Sequence, residues 1–264
     1  MGTELLINKA INAALLAGEK IKEIYASNDF EIVEKDDFSP LTKADREAHQ
    51  KIVNILESTK IPVLSEEGIH LDFAERSLWK SFWLVDPLDG TKEFISRNGE
   101  FTVNIALIRE NRPIAGVIFI PVSGELYLGI VDEGAWKISN PELDITFKEI
   151  SEKGTKLPIA KSSAGYIVAA SRSHLNAETL AFIEDLKRDH PELEIIRKGS
   201  SLKMCMVAEG TASIYPKLGT TMEWDTAAGH AILKASGKNI FNTDLMSELT
   251  YNKENLQNPH FIAV

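Results

Sequence analysis

The sequence predicts an α+β fold: a large antiparallel sheet with two helices packed on it, followed by a smaller C-terminal α/β unit. Three observations carry this. The N-terminal segment repeats apolar residues at helical spacing. Residues 82–138 change to short apolar or β-branched runs joined by brief polar links. Beyond residue 165, strand-like and helix-like runs alternate.

Taken in order, residues 3–26 place Ile11, Ala14, Leu15, Gly18, Ile21 and Tyr25 on one helical face, behind Thr3 as the opening residue. A polar stretch, 34–40, ends in Pro40 and reads as a loop. A second helix is expected over 42–59, with Ala48, Ile52, Ile55 and Leu56 inward. Residues 61–64 read as a short strand ending at Ser65-Glu66-Glu67-Gly68. Strands follow after 82 and over 101–108, 113–120, 125–131 and 135–138; their links are short enough for an antiparallel meander. Residues 139–165 are polar and Lys-rich, and read as an arm or linker. The last part reads as strand 166–170, helix 177–188, strand 194–197, helix 201–209, strand 212–215 and a helix over 224–235 ended by Gly237. This divides the chain into an N-terminal unit, 1–160, and a C-terminal unit, 161–264.

Composition narrows the function. At 264 residues the chain is long enough for one large domain or two that share a core. A net charge of −10 leaves no broad basic face for a nucleic-acid polymer. Cys205 is the single cysteine, so no internal disulfide and no cysteine-based zinc site can form. No apolar run approaches the roughly 18 residues a membrane span needs, and the N-terminus lacks a signal-peptide layout. A cytoplasmic enzyme is the expectation.

Acids gather at strand ends and helix starts. Glu66 and Glu67 end one strand, Asp86 and Asp89 another, and Asp225 opens a helix after Trp224. Buried carboxylates are costly unless paired or bound to a metal. An all-oxygen ligand set suits Mg²⁺ or Mn²⁺ rather than zinc. The Leu88 carbonyl can add a further oxygen, and the Gly90 and Thr91 N–H groups, at a helix start, can seat a phosphate. The Thr91 hydroxyl can orient a water. Taken singly, each has a plain structural reading as well. D-P-L-D-G fits a turn. Asp225 fits a helix cap, Glu66-Glu67 a solvated loop, and Thr42-x-x-Asp45 a capping box.

Taken together, the stretches resemble a family. S-E-E-G at 65–68, W-L-V-D-P-L-D-G-T-K-E-F at 83–94 and E-W-D-T-A-A-G-H-A-I-L at 223–233, with T-K-A-D at 42–45 upstream, resemble the inositol monophosphatase superfamily. The resemblance implies Mg²⁺-dependent, lithium-sensitive phosphomonoesterases with a layered αβαβα sandwich fold. D-G-T-K-E-F, S-R-S-H at 171–174, K-G-S-S-L-K at 198–203 and V-A-E-G-T-A-S-I-Y-P at 207–216 resemble its 3′(2′),5′-bisphosphate nucleotidase subgroup. That subgroup removes the 3′-phosphate of adenosine 3′,5′-bisphosphate (PAP), a by-product of sulfate activation, and some members take its sulfated form, PAPS.

Carried over residue by residue, the resemblance implies one Mg²⁺ on Glu66, Asp86 and the Leu88 carbonyl and a second on Asp86, Asp89 and Asp225. Glu66 or Glu67 reaches a further, weaker ion. Mn²⁺ can substitute, while Li⁺ and Ca²⁺ inhibit. Thr91, paired with Asp45, orients the attacking water. Glu66, Leu88, Asp89, Gly90, Thr91 and Asp225 also meet substrate at the scissile phosphate. Ser200 and Lys203 are expected at a second anion site and His174 beside the base. Lys217 stands where relatives often have arginine, as a further phosphate contact. An inositol or sugar-phosphate monophosphatase on the same scaffold is the nearest alternative; Lys92-Glu93 and the 171–174 and 199–203 elements stand against it. A non-catalytic metal- or nucleotide-binding protein is the alternative of another class, but it gives Thr91 and Asp45 no purpose. A monomer or homodimer is expected, with peripheral attachment to the inner membrane as an option some bacterial relatives take.

Overall fold

The computed structural model describes residues 2–27, 29–35, 40–69, 71–159, 165–173 and 175–264. Helix α1 (Thr3–Ser27) and helix α2 (Lys43–Leu56) pack together, separated in sequence by the two-residue strands β1 (Val33–Glu34) and β2 (Pro40–Leu41). A 3₁₀ turn, Glu57–Thr59, ends in left-handed Lys60 and leads to β3 (Val63–Ser65). After the short α3 (Phe73–Arg76) comes β4 (Ser81–Asp89), then α4 (Thr91–Ile95) and the meander β5 (Thr102–Arg109), β6 (Arg112–Ile120), β7 (Glu125–Ile130) and β8 (Gly134–Ser139). Helix α5 (Phe147–Lys153) and strand β9 (Thr155–Lys156) complete a seven-stranded sheet ordered β3-β4-β5-β6-β7-β8-β9. It is antiparallel from β4 to β9; only the β3–β4 pair is parallel, which makes the sheet mixed at one edge.

The rest of the chain runs β10 (Ile167–Ser171), α6 (Ala177–Asp189), β11 (Glu194–Lys198), α7 (Leu202–Glu209), β12 (Tyr215–Lys217), α8 (Glu223–Ala235), β13 (Ile240–Asn242) and β14 (Phe261–Ala263). Strands β10 and β11 pair in parallel, and β12, β14 and β13 pair antiparallel. A parallel bridge, Val168 to Ile214, joins the two groups into one second sheet.

Successive residues of a strand face opposite ways, and both faces of the large sheet are covered. Trp83, Val85, Ile105, Leu107, Val117 and Phe119 pack against α1 and α2. Phe82, Leu84, Ala106, Ile108, Ile118 and Ile120 pack against α7 and α8. Two-sided burial is why these strands read as unbroken apolar runs. Helices α7 and α8 are in turn covered by the second sheet, whose far side buries Val168, Ala170 and Ile262 with Ile183 of α6. The layers are therefore helix, sheet, helix, sheet, helix, as the resemblance implied.

Helix α8 lies directly on sheet backbone. A Cβ on Gly116 would stand 2.3 Å from the Ala228 carbonyl oxygen, and one on Gly129 would stand 2.5 Å from Ile232 Cα. Only residues without a side chain allow that approach.

The expected arm at 139–165 is corrected over most of its length. Thr146 caps α5, with Glu149 closing the box, and Phe147 packs edge-on against Trp136 at 5.6 Å. The box spacing is in the sequence, but the surrounding charge obscured it. Strands β13 and β14 were not expected, being too short to show a period. Among the described residues no helix is long and apolar enough to cross a membrane.

Candidate active site

Strand β4 carries the first two acids. It pairs with β5 from Ser81↔Arg109 to Asp86↔Asn104, then resumes at Asp89↔Thr102 beyond a bulge. Pro87 offers no N–H to a ladder, and a bulge is where a sheet tolerates that. The stretch is thus strand, not the free turn its composition also fits. The Leu88 N–H donates to Asp86 Oδ1 at 3.0 Å. Its side chain is buried on the α1–α2 side, so its carbonyl is what it can offer a ligand. Gly90 turns the chain into α4 at φ +92°, where a Cβ would also crowd the Glu100 carbonyl at 3.2 Å.

Asp45 lies in the first turn of α2 and is buried. Its Oδ2 accepts from the Thr42 N–H at 2.7 Å and the Thr42 hydroxyl at 2.5 Å. Its Oδ1 accepts from the Thr91 hydroxyl at 3.2 Å. One carboxylate therefore closes the capping box and still reaches Thr91. Burial lifts it to about 6 in spite of the Thr42 bonds.

Glu66 extends the β3 ladder, its N–H donating to the Val85 carbonyl at 3.1 Å. The Lys35 ammonium stands 2.9 Å from Glu66 and also bonds Glu67. These glutamates are paired rather than solvated. Burial still raises Glu66 to about 7, against the pull of Lys35. Asp225, in the first turn of α8, accepts from the Met222 N–H at 2.8 Å, so its capping reading also holds.

Glu66, Asp86, Leu88, Asp89, Gly90, Thr91 and Asp225 line one cavity of about 290 Å³. Asp45 stands behind Thr91, and Glu67 beside Glu66 across Lys35. Burial is the first cause that pushes Asp86 and Asp225 well up; the charges of Glu66 and Asp89 add to it in both. Burial also raises Asp89, opposed by the Ser200 hydroxyl and Lys203. Among the described residues no three such side chains already enclose one ion position. Like charges with nothing between them stay apart, and each acid here is held by a local donor. The donor set still fits a hard divalent cation: it is all oxygen, buried at Asp86 and half-buried at Glu66, Asp89 and Asp225, and carries more negative charge than its neighbours neutralise.

The residues expected on the nucleotide side fall unevenly. Ser200, Lys203 and Lys217 line the same cavity. The Ser200 hydroxyl, however, already donates to Asp89 Oδ2 at 2.6 Å. The Lys203 ammonium, expected at a second anion site, is already engaged. It is buried, donates to the Ser200 and Lys198 carbonyls at 2.6 and 3.2 Å, and lies 5.1 Å from the Tyr215 ring centroid. Burial lowers it to about 8. Burial also lowers Lys217, while Asp225 and Asp89 pull it back up. His174 lies outside the described residues.

Sequence reasoning missed several neighbours. Lys35 carries no signal within a polar loop. Asn104 had one, an amide inside an apolar strand. Glu100 binds Arg172 at 2.7 and 2.8 Å and the Gly199 N–H at 2.8 Å, tying the segment before β5 to the loop before α7. Burial alone would raise its carboxyl, but these bonds and Lys198 bring it to about 2.

The inositol monophosphatase family model matches residues 3–260. Over 238 residues the chain is 42% identical to the 3′(2′),5′-bisphosphate nucleotidase CysQ of Escherichia coli K12, covering 89% of each protein. It is 35% identical to the CysQ of Haemophilus influenzae over 264 residues, 99% of this chain and 93% of that one. The crystal structure of CysQ from Bacteroides thetaiotaomicron superposes with a TM-score of 0.92 at 50% identity, covering 99% of this chain and 97% of that one. With its motifs, layers and cavity all in agreement, the chain belongs to the inositol monophosphatase family.

Proposed function

We propose that this protein is a Mg²⁺-dependent 3′(2′),5′-bisphosphate nucleotidase that hydrolyses the 3′-phosphate of adenosine 3′,5′-bisphosphate, giving AMP and phosphate. PAPS is a further substrate. The observation that carries the reading is a single cavity lined by the acids of β4 and α8 on one side and by Lys203, Lys217 and the 200–201 serines on the other. The CysQ relatives over nearly the whole chain supply the substrate class. The cavity lies between the proposed N-terminal unit, 1–160, and the C-terminal unit, 161–264.

Glu66, Asp86, Asp89, Asp225 and the Leu88 carbonyl are the residues that hold divalent ions. When bound, such ions lower the pKa of a water and neutralise phosphate and leaving oxygens. The Thr91 hydroxyl, tied to Asp45 Oδ1, orients the attacking water, and Asp45 takes up the proton. The Gly90 and Thr91 N–H groups hold the scissile phosphate. Lys217 contributes positive charge at the cavity wall.

Phosphate release tests the proposal. PAP is expected to be hydrolysed with Mg²⁺ and not after EDTA treatment, and more efficiently than inositol 1-phosphate or fructose 1,6-bisphosphate. A preference for inositol 1-phosphate would return the chain to the monophosphatases. Full activity in EDTA would remove the metal from the reaction.

A further inference from the structure

Behind Asp89 lies a buried network of hydroxyls and one amide. Thr102 and Asn104 project from β5, and Ser200 and Ser201 precede α7; Thr102, Asn104 and Ser201 are almost wholly inaccessible. The Ser200 hydroxyl donates to Asp89 Oδ2 at 2.6 Å. Thr102 Oγ1 stands 2.6 Å from Ser200 Oγ and 2.8 Å from Ser201 Oγ. Asn104 Oδ1 lies 3.0 Å from Thr102 Oγ1 and 2.9 Å from Ser201 Oγ, and its Nδ2 lies 3.4 Å from Asp89 Oδ2.

Counting protons gives the network a direction. Each hydroxyl has one proton to donate. An ionised Asp89 can only accept, so it takes the proton of Ser200. With that proton committed, Ser200 can only accept at its 2.6 Å contact with Thr102, while the Ser201 hydroxyl donates to Asn104 Oδ1 at 2.9 Å. The Thr102 and Ser200 hydroxyls thus point in series at the carboxylate, and aligned donors strengthen one another.

Backbone strain points the same way. Ser200 is held at φ +53°, a region that favours glycine. Glycine there would relieve the strain but lose the hydroxyl. Gly199 beside it is glycine for space, since a Cβ would meet Glu93 Cγ at 2.7 Å. Such strain next to a site is a pointer to function rather than to stability.

We propose that Thr102, acting through Ser200, is the positioning residue for Asp89, fixing which carboxylate oxygen faces the cavity and so its hold on a divalent cation. This rests on the metal-dependent reading above. Residues that hydrogen-bond a ligating carboxylate typically change metal affinity about 10–100-fold when removed.

Mn²⁺ binding, followed by the free-ion electron paramagnetic resonance signal, tests it without reference to activity. Thr102→Val keeps the shape and removes the hydroxyl; a Kd at least about tenfold weaker is expected. Thr102→Ser should restore binding to within about threefold. A folded Thr102→Val protein with a lower melting temperature in EDTA but unchanged Mn²⁺ affinity would make Thr102 merely structural and overturn the proposal. Should that variant fail to fold, Ser200→Ala serves: weakened binding supports the proposal and parental binding overturns it. A parent protein that binds no Mn²⁺ would instead overturn the metal reading itself, and this inference with it.

Discussion

Replacing Gly116 by alanine puts a methyl group where α8 already lies. The added Cβ would stand 2.3 Å from the Ala228 carbonyl oxygen and 2.9 Å from the Ala228 carbonyl carbon and Cα. All three are backbone atoms, so no side chain can swing aside. Recovering ordinary contact near 3.5 Å requires α8 to retreat by about 1 Å. Asp225 precedes Ala228 by about one helical turn and moves with it. Overpacking of this kind costs about 1–3 kcal/mol, which urea denaturation in EDTA will read. Because a shift of about 1 Å at a catalytic group can cost about 10²-fold in rate, PAP hydrolysis is expected to fall by that order, with a higher Mg²⁺ requirement. Gly129→Ala is the control: its Cβ would meet Ile232, farther along α8 from Asp225. It should cost similar stability and much less activity. Parental stability and parental Mg²⁺ half-saturation in Gly116→Ala would refute the close-contact argument.

Three further outcomes are expected. Thr91→Ala should keep Mn²⁺ binding and lose about 10²-fold in turnover, the scale of a positioned proton-transfer group; near-parental turnover would remove Thr91 from the chemistry. Asp225→Asn should abolish turnover yet leave the metal-free protein at least as stable in urea, because the amide oxygen can keep the Met222 cap while one repelling charge is gone. The metal-free melting temperature should fall as pH rises from about 5 to about 8. Glu66 and Asp45 are raised by burial to about 7 and about 6; a raised carboxyl contributes stability that is complete below its unfolded value near 4 and lost as pH climbs through the folded one. Saturating Mg²⁺ should flatten that slope, and an unchanged slope would mean the ion binds elsewhere.

Much of this was legible in the chain because it was local. Apolar runs with short links over 101–138 announced the antiparallel meander, and the family resemblance, not the runs, supplied the layer on its second face. The Asp86–Thr91 stretch announced chemistry. What stayed hidden depended on distance. Nothing near Lys35 in sequence says that its ammonium lies between Glu66 and Glu67. Lys203 looked like a charge for an anion, and only the fold reveals that two carbonyls and Tyr215 surround it. Asp45 seemed to force a choice between cap and catalysis, but a carboxylate has two oxygens and the fold addresses them separately. Strands β13 and β14 were too short for a period; β14 forms between β12 and β13 and pairs with both.

The acids of the cavity are far apart along the chain: Glu66 follows β3, Asp86 and Asp89 sit at the end of β4, and Asp225 belongs to α8 on the opposite layer. An ion held there, as proposed, would act as a removable rivet between the sheet and the helix that lies on it. The unfolded chain has no such gathering, so ion binding favours the folded state by mass action. Divalent-ion concentration then becomes a determinant of how much of the protein is folded, not only of how fast it turns over. A substitution that loosens a remote layer, such as the α6 side of the second sheet, should then be partly rescued by added Mg²⁺ although it touches no ligand.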